Sequence, residues 1–254
     1  MKTLAPFPTF GLPRITGLID RRILVNFRCA PSALAPILPP PFRPKLVRGY
    51  AMVGLCVIRL RHIRPTWLPE WIGLASENVA HRVAVEWDEA GQKREGVFVL
   101  RRDTDSNLNV AAGGRLFPGI HHRADFEVWE SPLRYKIAMR SRSDGTFVRL
   151  AARVEDGDLA GSIFRSLQEA SNFFSAGSLG WSRDQTTGGL EGLELATKVW
   201  RVTPLKLERV ETSYFQNPAL FPPGAIQLDS ALLMRDIPHE WRPHRWAANG
   251  ETQP

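Results

Sequence analysis

The feature that most constrains this chain is a two-residue alternation of side-chain character that returns between turn signals along most of its length. Residues 21–29 read RRILVNFRC, with Ile23, Val25, Phe27 and Cys29 on one side and Arg22, Leu24, Asn26 and Arg28 on the other. Extended backbone sends successive side chains to opposite faces, so a period of two predicts a strand. The pattern recurs over 78–88 and 96–102, and the DEAGQKRE segment between them predicts a hairpin. It recurs again through Leu133, Tyr135, Ile137 and Met139, followed by the turn Ser143-Asp144-Gly145-Thr146 and a return over 147–155. A further β run begins near Ala124, residues 46–60 read as one or two strands bent or closely approached at Gly49 and Gly54, and the last third holds two or three more strands. With 20 Gly and 20 Pro in 254 residues, turns are frequent enough to connect many short strands.

Helical signals are few. Pro31 suits a first helical position, Ala33, Leu34, Ile37 and Leu38 follow at helical spacing, and Pro39-Pro40-Pro41 ends the run. Ser106 could cap a short helix over 106–115, and Ser166-Leu-Gln-Glu169 is a capping box that opens a helix to about Phe174. The Trp- and Pro-rich segment 61–76 and the Gly-rich segment 175–192 read as loops. The fold class expected is mainly β (α+β): one domain over 1–254, a large, mostly antiparallel sheet or barrel with its core over about 14–240 and a flexible tail over 241–254.

Charge and composition exclude several functions. The net charge is +7, carried by 27 arginines against only six lysines: Lys2, Lys45, Lys93, Lys136, Lys198 and Lys206. The arginines are spread along the chain, and no helix-turn-helix, zinc finger or RNP aromatic motif accompanies them, which disfavours nucleic acid as a partner. Cys29 and Cys56 are too few for a disulfide framework or a cysteine zinc site and read as small buried residues. No apolar stretch is long enough to span a bilayer and no signal-peptide pattern opens the chain, so a cytoplasmic protein without membrane contact is expected. Dinucleotide and P-loop fingerprints are absent, and Ala176-Gly-Ser178-Leu-Gly180 lacks the first glycine of a nucleophile elbow. His239 and His244 are five residues apart with Pro243 between, which forbids a zinc-binding helix and predicts a C-terminal loop.

Three polar constellations remain as candidates. Arg101-Arg102-Asp103-Thr104-Asp105 ends an apolar strand; it is either a solvated loop or, turned inward, a holder for a carboxylate ligand. Ser76-Glu77-Asn78 precedes Arg82 and Glu86, and Asn78, Ala80, Arg82, Ala84 and Glu86 share one strand face. That face is either an outward Arg–Glu face or a polar interior in which Glu77 carries a proton and Arg82 neutralises an acid. Adjacent His121 and His122 point to opposite faces, so at most one of them serves a given site.

The runs Asp20-Arg-Arg-Ile-Leu-Val-Asn-Phe, Ser76-Glu-Asn-Val-Ala-His-Arg82 and Gly96-Val-Phe-Val-Leu-Arg-Arg-Asp-Thr-Asp-Ser106 together resemble the bacterial domain-of-unknown-function family 2071, over about residues 14–240. That family is similar to the acetoacetate decarboxylase superfamily, and the resemblance implies a cone-shaped antiparallel β-barrel around a ligand cavity. True decarboxylases of the superfamily use a Tyr-Pro-Lys-Lys type run whose lysine forms a Schiff base. The matching stretch here is Phe117-Pro118-Gly119-Ile120, which keeps the aromatic-Pro pair and loses both lysines. The superfamily's cavity glutamate matches Glu77 and its early arginine matches Arg21 or Arg22. The resemblance thus implies a protein that binds a keto acid or other small carbonyl-bearing anion without an imine. If it is an enzyme, it is a lyase or isomerase in which Glu77 and His121 are the catalytic acid–base groups and Arg21, Asn78, Arg82, Arg102 and Asp103 contact the substrate. No cofactor and no metal is implied. A non-catalytic ligand-binding protein and a basic nucleic-acid binder are the alternatives, and homo-oligomerisation stays open. Lys136, opposite the apolar face of its strand, is the one lysine for which a barrel interior is conceivable.

Overall fold

The alternating segments become long, paired strands. The computed structural model describes residues 14–111, 118–184 and 188–246. Among them are thirteen strands: β1 (Ile15–Cys29), β2 (Arg43–Pro44), β3 (Leu46–Val47), β4 (Tyr50–Pro65), β5 (Leu74–Glu89), β6 (Gln92–Thr104), β7 (His121–Glu130), β8 (Arg134–Ser141), β9 (Phe147–Val154), β10 (Leu179–Arg183), β11 (Leu190–Ala196), β12 (Thr203–Thr212) and β13 (Gln227–Arg245). Two α-helices, α1 (Asn107–Ala111) and α2 (Leu167–Ser175), accompany them.

The hydrogen-bonded order is β11-β10-β6-β7-β8-β9-β12-β13-β1-β4-β5-β2, and β11–β13 and β5–β6 pair as well. Those two extra pairings close the sheet twice. Strands β13, β1, β4, β5 and β6 form a wall common to both closures. One ring returns through β10 and β11, the other through β7, β8, β9 and β12. Closure removes the free edges that a sheet of this size would otherwise expose.

Because the wall is covered on both sides, its alternation separates two cores rather than core from solvent. Ile23, Val25, Val53, Leu55, Val57, Val79 and Val83 pack with Tyr135, Ile137, Met139, Val148 and Leu150. Their neighbours Leu24, Met52, Cys56, Ile58 and Ala84 pack with Phe164, Ala170 and Phe174. Within the wall β4 lies close to its neighbour β1: a Cβ on Gly54 would stand 2.6 Å from the Val25 carbonyl oxygen, so glycine permits the approach there.

Several local expectations shift. The helix after Pro31 shrinks to one 3₁₀ turn over Pro31–Ala33. The segment 61–76 is strand for much of its length, because β4 runs to Pro65 and β5 starts at Leu74. The 175–192 segment holds β10, whose Gly180 and Trp181 pair in parallel with Val97 and Phe98 of β6. The turn in the β5–β6 hairpin narrows to Ala90-Gly91, both at positive φ (50° and 75°). Residues 241–245 and both His239 and His244 lie in β13, where Trp241 pairs with Leu195 and Pro243 with Leu193; residues 247–254 lie outside the described residues. The helix caps stand as expected: Ser106 Oγ accepts from Asn109 N–H, and Ser166 Oγ accepts from Glu169 N–H.

Candidate functional site

Two arginine pairs, Arg21-Arg22 and Arg101-Arg102, sit on wall strands β1 and β6, so each pair is split between the two faces. Arg21 is fully buried, donates to Glu77 Oε2 at 2.5 Å and to Glu130 Oε2 at 2.6 Å. Arg59, opposite both Arg21 and Glu77 in the ladder, adds Nε to Glu77 Oε1 at 2.6 Å and Nη1 to Glu130 Oε1 at 2.7 Å. Burial works to raise the Glu130 carboxyl, but hydrogen bonding to Arg21 and the charges of Arg21 and Arg59 hold it below its ordinary value. On the same face Arg101 grips Asp103 through two bonds of 2.8 Å and pairs with Asp144 at 2.6 Å. Every guanidinium here meets a carboxylate, the condition under which buried charge is tolerated.

The other face is different. Arg22, Arg82 and Arg102 make no ion pair among the described residues. Arg22 Nε–H reaches Cys56 Sγ at 3.3 Å, and its Nη1 is buried without a partner. Arg82 donates to Asn26 Oδ1 at 2.9 Å and lies over the Phe174 ring, with Nε unpartnered. Arg102 Nη1 donates to Ser182 Oγ at 2.5 Å. Burial lowers the pKa of Arg82 and of Arg102 to about 10, and for Arg102 the charge of Glu191 only partly compensates.

Arg22 and Arg102 border a half-enclosed cavity of about 150 Å³ between β1, β4, β5 and β6 on one side and β10, β11 and Trp241 on the other. Its wall is mainly apolar (Ile19, Ile58, Leu60, Ala80, Leu193, Leu195), with Asn78, His121 and Ser178 as further polar members. Cavities of this size hold molecules as large as benzene. His121 stands beside Arg102 with Nδ1 3.2 Å from the Gly119 carbonyl oxygen. A carbonyl only accepts, so Nδ1 carries the proton and Nε2 the lone pair. Burial, reinforced by the Arg102 charge, lowers the His121 pKa to about 3 and keeps the imidazole neutral.

The cavity therefore gathers part of the expected site. Asn78, Arg102, Asp103 and His121 border it, though the Asp103 carboxylate is taken by Arg101. His122 points the other way, to Ser143 Oγ. Glu77 and Arg21 are on the opposite face, locked together, because odd and even positions of the wall diverge; a shared interior for Glu77 and Arg82 does not form. Arg82 is buried beside the cavity without lining it. Glu86 is no interior member either: it pairs with Arg43 and Lys93 near the surface. Lys136 points outward and lies over exposed Trp129 at 5.6 Å, so it is no interior amine, and no lysine lines the cavity among the described residues. Arg22, which the sequence offers only as an alternative to Arg21, is the early arginine that reaches the cavity. Ser178 and Ser182 come from the stretch expected to be a loop, where the short alternation of Leu179, Trp181 and Arg183 against Gly180 and Ser182 was the available signal.

Gly119 occupies the position that the resemblance matches to lysine; Phe117 lies outside the described residues. The φ of Gly119 is +84°, and a Cβ there would stand 2.8 Å from Ser182 Cβ and 3.0 Å from Arg102 Nη1. Arg102 and Ser182 fill the space a lysine side chain would need to leave Gly119.

The model of the DUF2071 family, described as an uncharacterized conserved protein, matches residues 19–232. The chain belongs to that family. No curated protein matches the sequence. Solved structures similar to this DUF2071 chain include an acetoacetate decarboxylase from Legionella pneumophila (TM-score 0.58, 14% identity, 95% of this chain and 89% of that one). An acetoacetate decarboxylase-like enzyme from Sphingomonas wittichii RW1 superposes with a TM-score of 0.55 at 15% identity, covering 96% and 95%. The enduracididine biosynthesis enzyme MppR, solved with pyruvate, gives 0.56 at 10% identity, covering 93% and 91%. At these identities the likeness fixes the fold of the DUF2071 chain, acetoacetate decarboxylase-like, and leaves its chemistry to its own residues. No described helix is long and apolar enough to cross a membrane.

Proposed function

We propose that this protein binds a small carbonyl-bearing organic anion in the cavity between β6 and β10 and acts on it by acid–base chemistry of the lyase or isomerase kind, without an imine. The observation that carries the reading is the half-buried Arg102 guanidinium, which lines the cavity with a serine hydroxyl and a neutral histidine for neighbours and no ion-paired carboxylate. A guanidinium drawn out of water with no carboxylate in contact is costly, and an anionic ligand supplies that contact. The pyruvate bound by MppR is a ligand of this kind on the same fold.

His121 is the acid–base group of this proposal. It pairs with Arg102 in the β6–β7 ladder and lines the same cavity, and a bound anion offsets the Arg102 charge that helps depress the imidazole. Enolisation of a bound keto acid then needs one proton taken from carbon and returned, a task for a single base. Glu77, already bonded to two arginines, has a structural role in this scheme. The reading gives the protein no cofactor.

Calorimetry with pyruvate and acetoacetate, followed by NMR in D₂O, tests it. Binding that Arg102→Met weakens at least about tenfold, and exchange of the protons next to the carbonyl that His121→Gln abolishes while binding persists, are expected. No binding at millimolar keto acid would end the proposal. The other carboxylate on the described cavity wall, Asp103, is taken by Arg101, which favours a second reading, a non-catalytic binding protein; saturable binding with no exchange would select it.

A further inference from the structure

A single anion leaves one of the cavity's arginines unanswered. Arg22 and Arg102 rise from β1 and β6, three strand spacings apart, about 14 Å measured along the curved wall. Both side chains line the same cavity. At the Arg22 end the guanidinium lies 5.8 Å from the Trp200 ring centroid, Nε is spent on Cys56, and Nη1 is buried with no partner. At the Arg102 end Ser182 and His121 flank the guanidinium. Between them the lining is predominantly apolar, with Leu60, Ala80 and Leu193 among its members.

The geometry points to a ligand with two anionic ends: a short dicarboxylate or keto diacid whose carboxylates meet Arg102 and Arg22 across an apolar span of two or three carbons. The inference rests on Arg102 as the anion anchor and adds Arg22 as the residue that selects the second charge. A monocarboxylate satisfies Arg102 and leaves the Arg22 side chain without an ion pair; a diacid answers both, and charge-assisted bonds to guanidinium are the strong kind. The neutral His121 adds no charge to compete with either end.

The test is calorimetry of the full chain with succinate and glutarate against butyrate and valerate, unreactive acids of matched length. In the wild type the diacids bind at least about tenfold more tightly, the worth of one good charge-assisted contact. In Arg22→Met that ratio falls to about two or less while valerate still binds, which also shows that the variant is folded. If the variant does not fold, glutarate against its monomethyl ester on the wild type decides, since the ester keeps the length and removes one charge. Equal affinity for diacid and monoacid, an ester that binds as well as glutarate, or a diacid preference that survives Arg22→Met overturns the inference and leaves the single-anion reading standing. Failure of every acid to bind overturns both.

Discussion

Two faces of one wall carry the same residue type in opposite electrostatic states. On the face toward β7, β8 and β9, Arg21, Arg59 and Arg101 are matched to Glu77, Glu130, Asp103 and Asp144 at 2.5–2.8 Å. On the face toward β10 and α2, Arg22 and Arg102 are one residue away along the chain and have no ion-paired carboxylate. The histidines follow: His81 sits near Arg101 on the first face and His121 near Arg102 on the second, and burial holds both neutral with pKa values of about 3. The difference teaches that buried arginine has no fixed meaning. Where carboxylates answer it, the charge is part of the scaffold; where none does, the proposed ligand would supply the missing partner.

The sharpest way to break this comparison is to take the answering carboxylate from the paired face. Glu77→Leu takes one of two carboxylate partners from Arg21, which is fully buried, and one of three from Arg59. Removing one member of such a pair costs about 3–5 kcal/mol. Urea denaturation should show that loss, with a lowered midpoint and an unchanged slope. A loss under about 1 kcal/mol would mean that the paired face is no scaffold and that Glu77 is free for chemistry after all.

How much of this was legible in the sequence follows from the same alternation. The strand runs at 21–29, 78–88, 96–102 and 133–139 are regular enough to give the β architecture, and the family resemblance gives its closure. What the pattern could not give is which face looks into a cavity, because both faces of the wall are buried. Leu24 on the polar-looking side of β1 is 1% exposed, and His81 on the apolar side of β5 is 0% exposed. With inside and outside undefined, Glu77 and Arg82 could be placed in one interior although their side chains diverge. β10 escaped notice because a five-residue strand rich in Gly and Ser reads as a loop until β6 and β11 pair with it.

A second test uses pH and separates the two faces by their histidines. Unfolded, His81 and His121 take up protons as pH falls through about 6.5; folded, they stay neutral down to about 3. The unfolded state therefore binds more protons in that window, and stability falls as pH is lowered from about 6.5 towards 3, by up to about 1.4 kcal/mol per pH unit for each histidine. His239, lowered to about 4, adds to the upper part of the window. Thermal melts across this range should show the decline, and His121→Gln should remove one histidine's share. A saturating carboxylate should raise the His121 titration followed by NMR and leave His81 where it was, because only Arg102 lies on the ligand side. Equal movement of both would erase the distinction between the faces.

The smallest expected effect is on stability and the most telling. Arg102→Met removes a half-buried charge that has no ion-paired carboxylate and replaces it with an apolar chain of similar length. The loss of the bond to Ser182 Oγ, about 1 kcal/mol, is offset by relief of the desolvation that already lowers the arginine's pKa. The free variant should unfold within about 1 kcal/mol of the wild type, against several for Glu77→Leu. Added keto acid should then raise the melting temperature of the wild type, since a ligand that binds only the native state stabilises it in proportion to the logarithm of its saturation. It should leave Arg102→Met unmoved. Differential scanning fluorimetry with and without ligand reads both results, and a variant that loses about 3 kcal/mol or keeps the ligand shift would show that Arg102 belongs to the scaffold as Arg21 does.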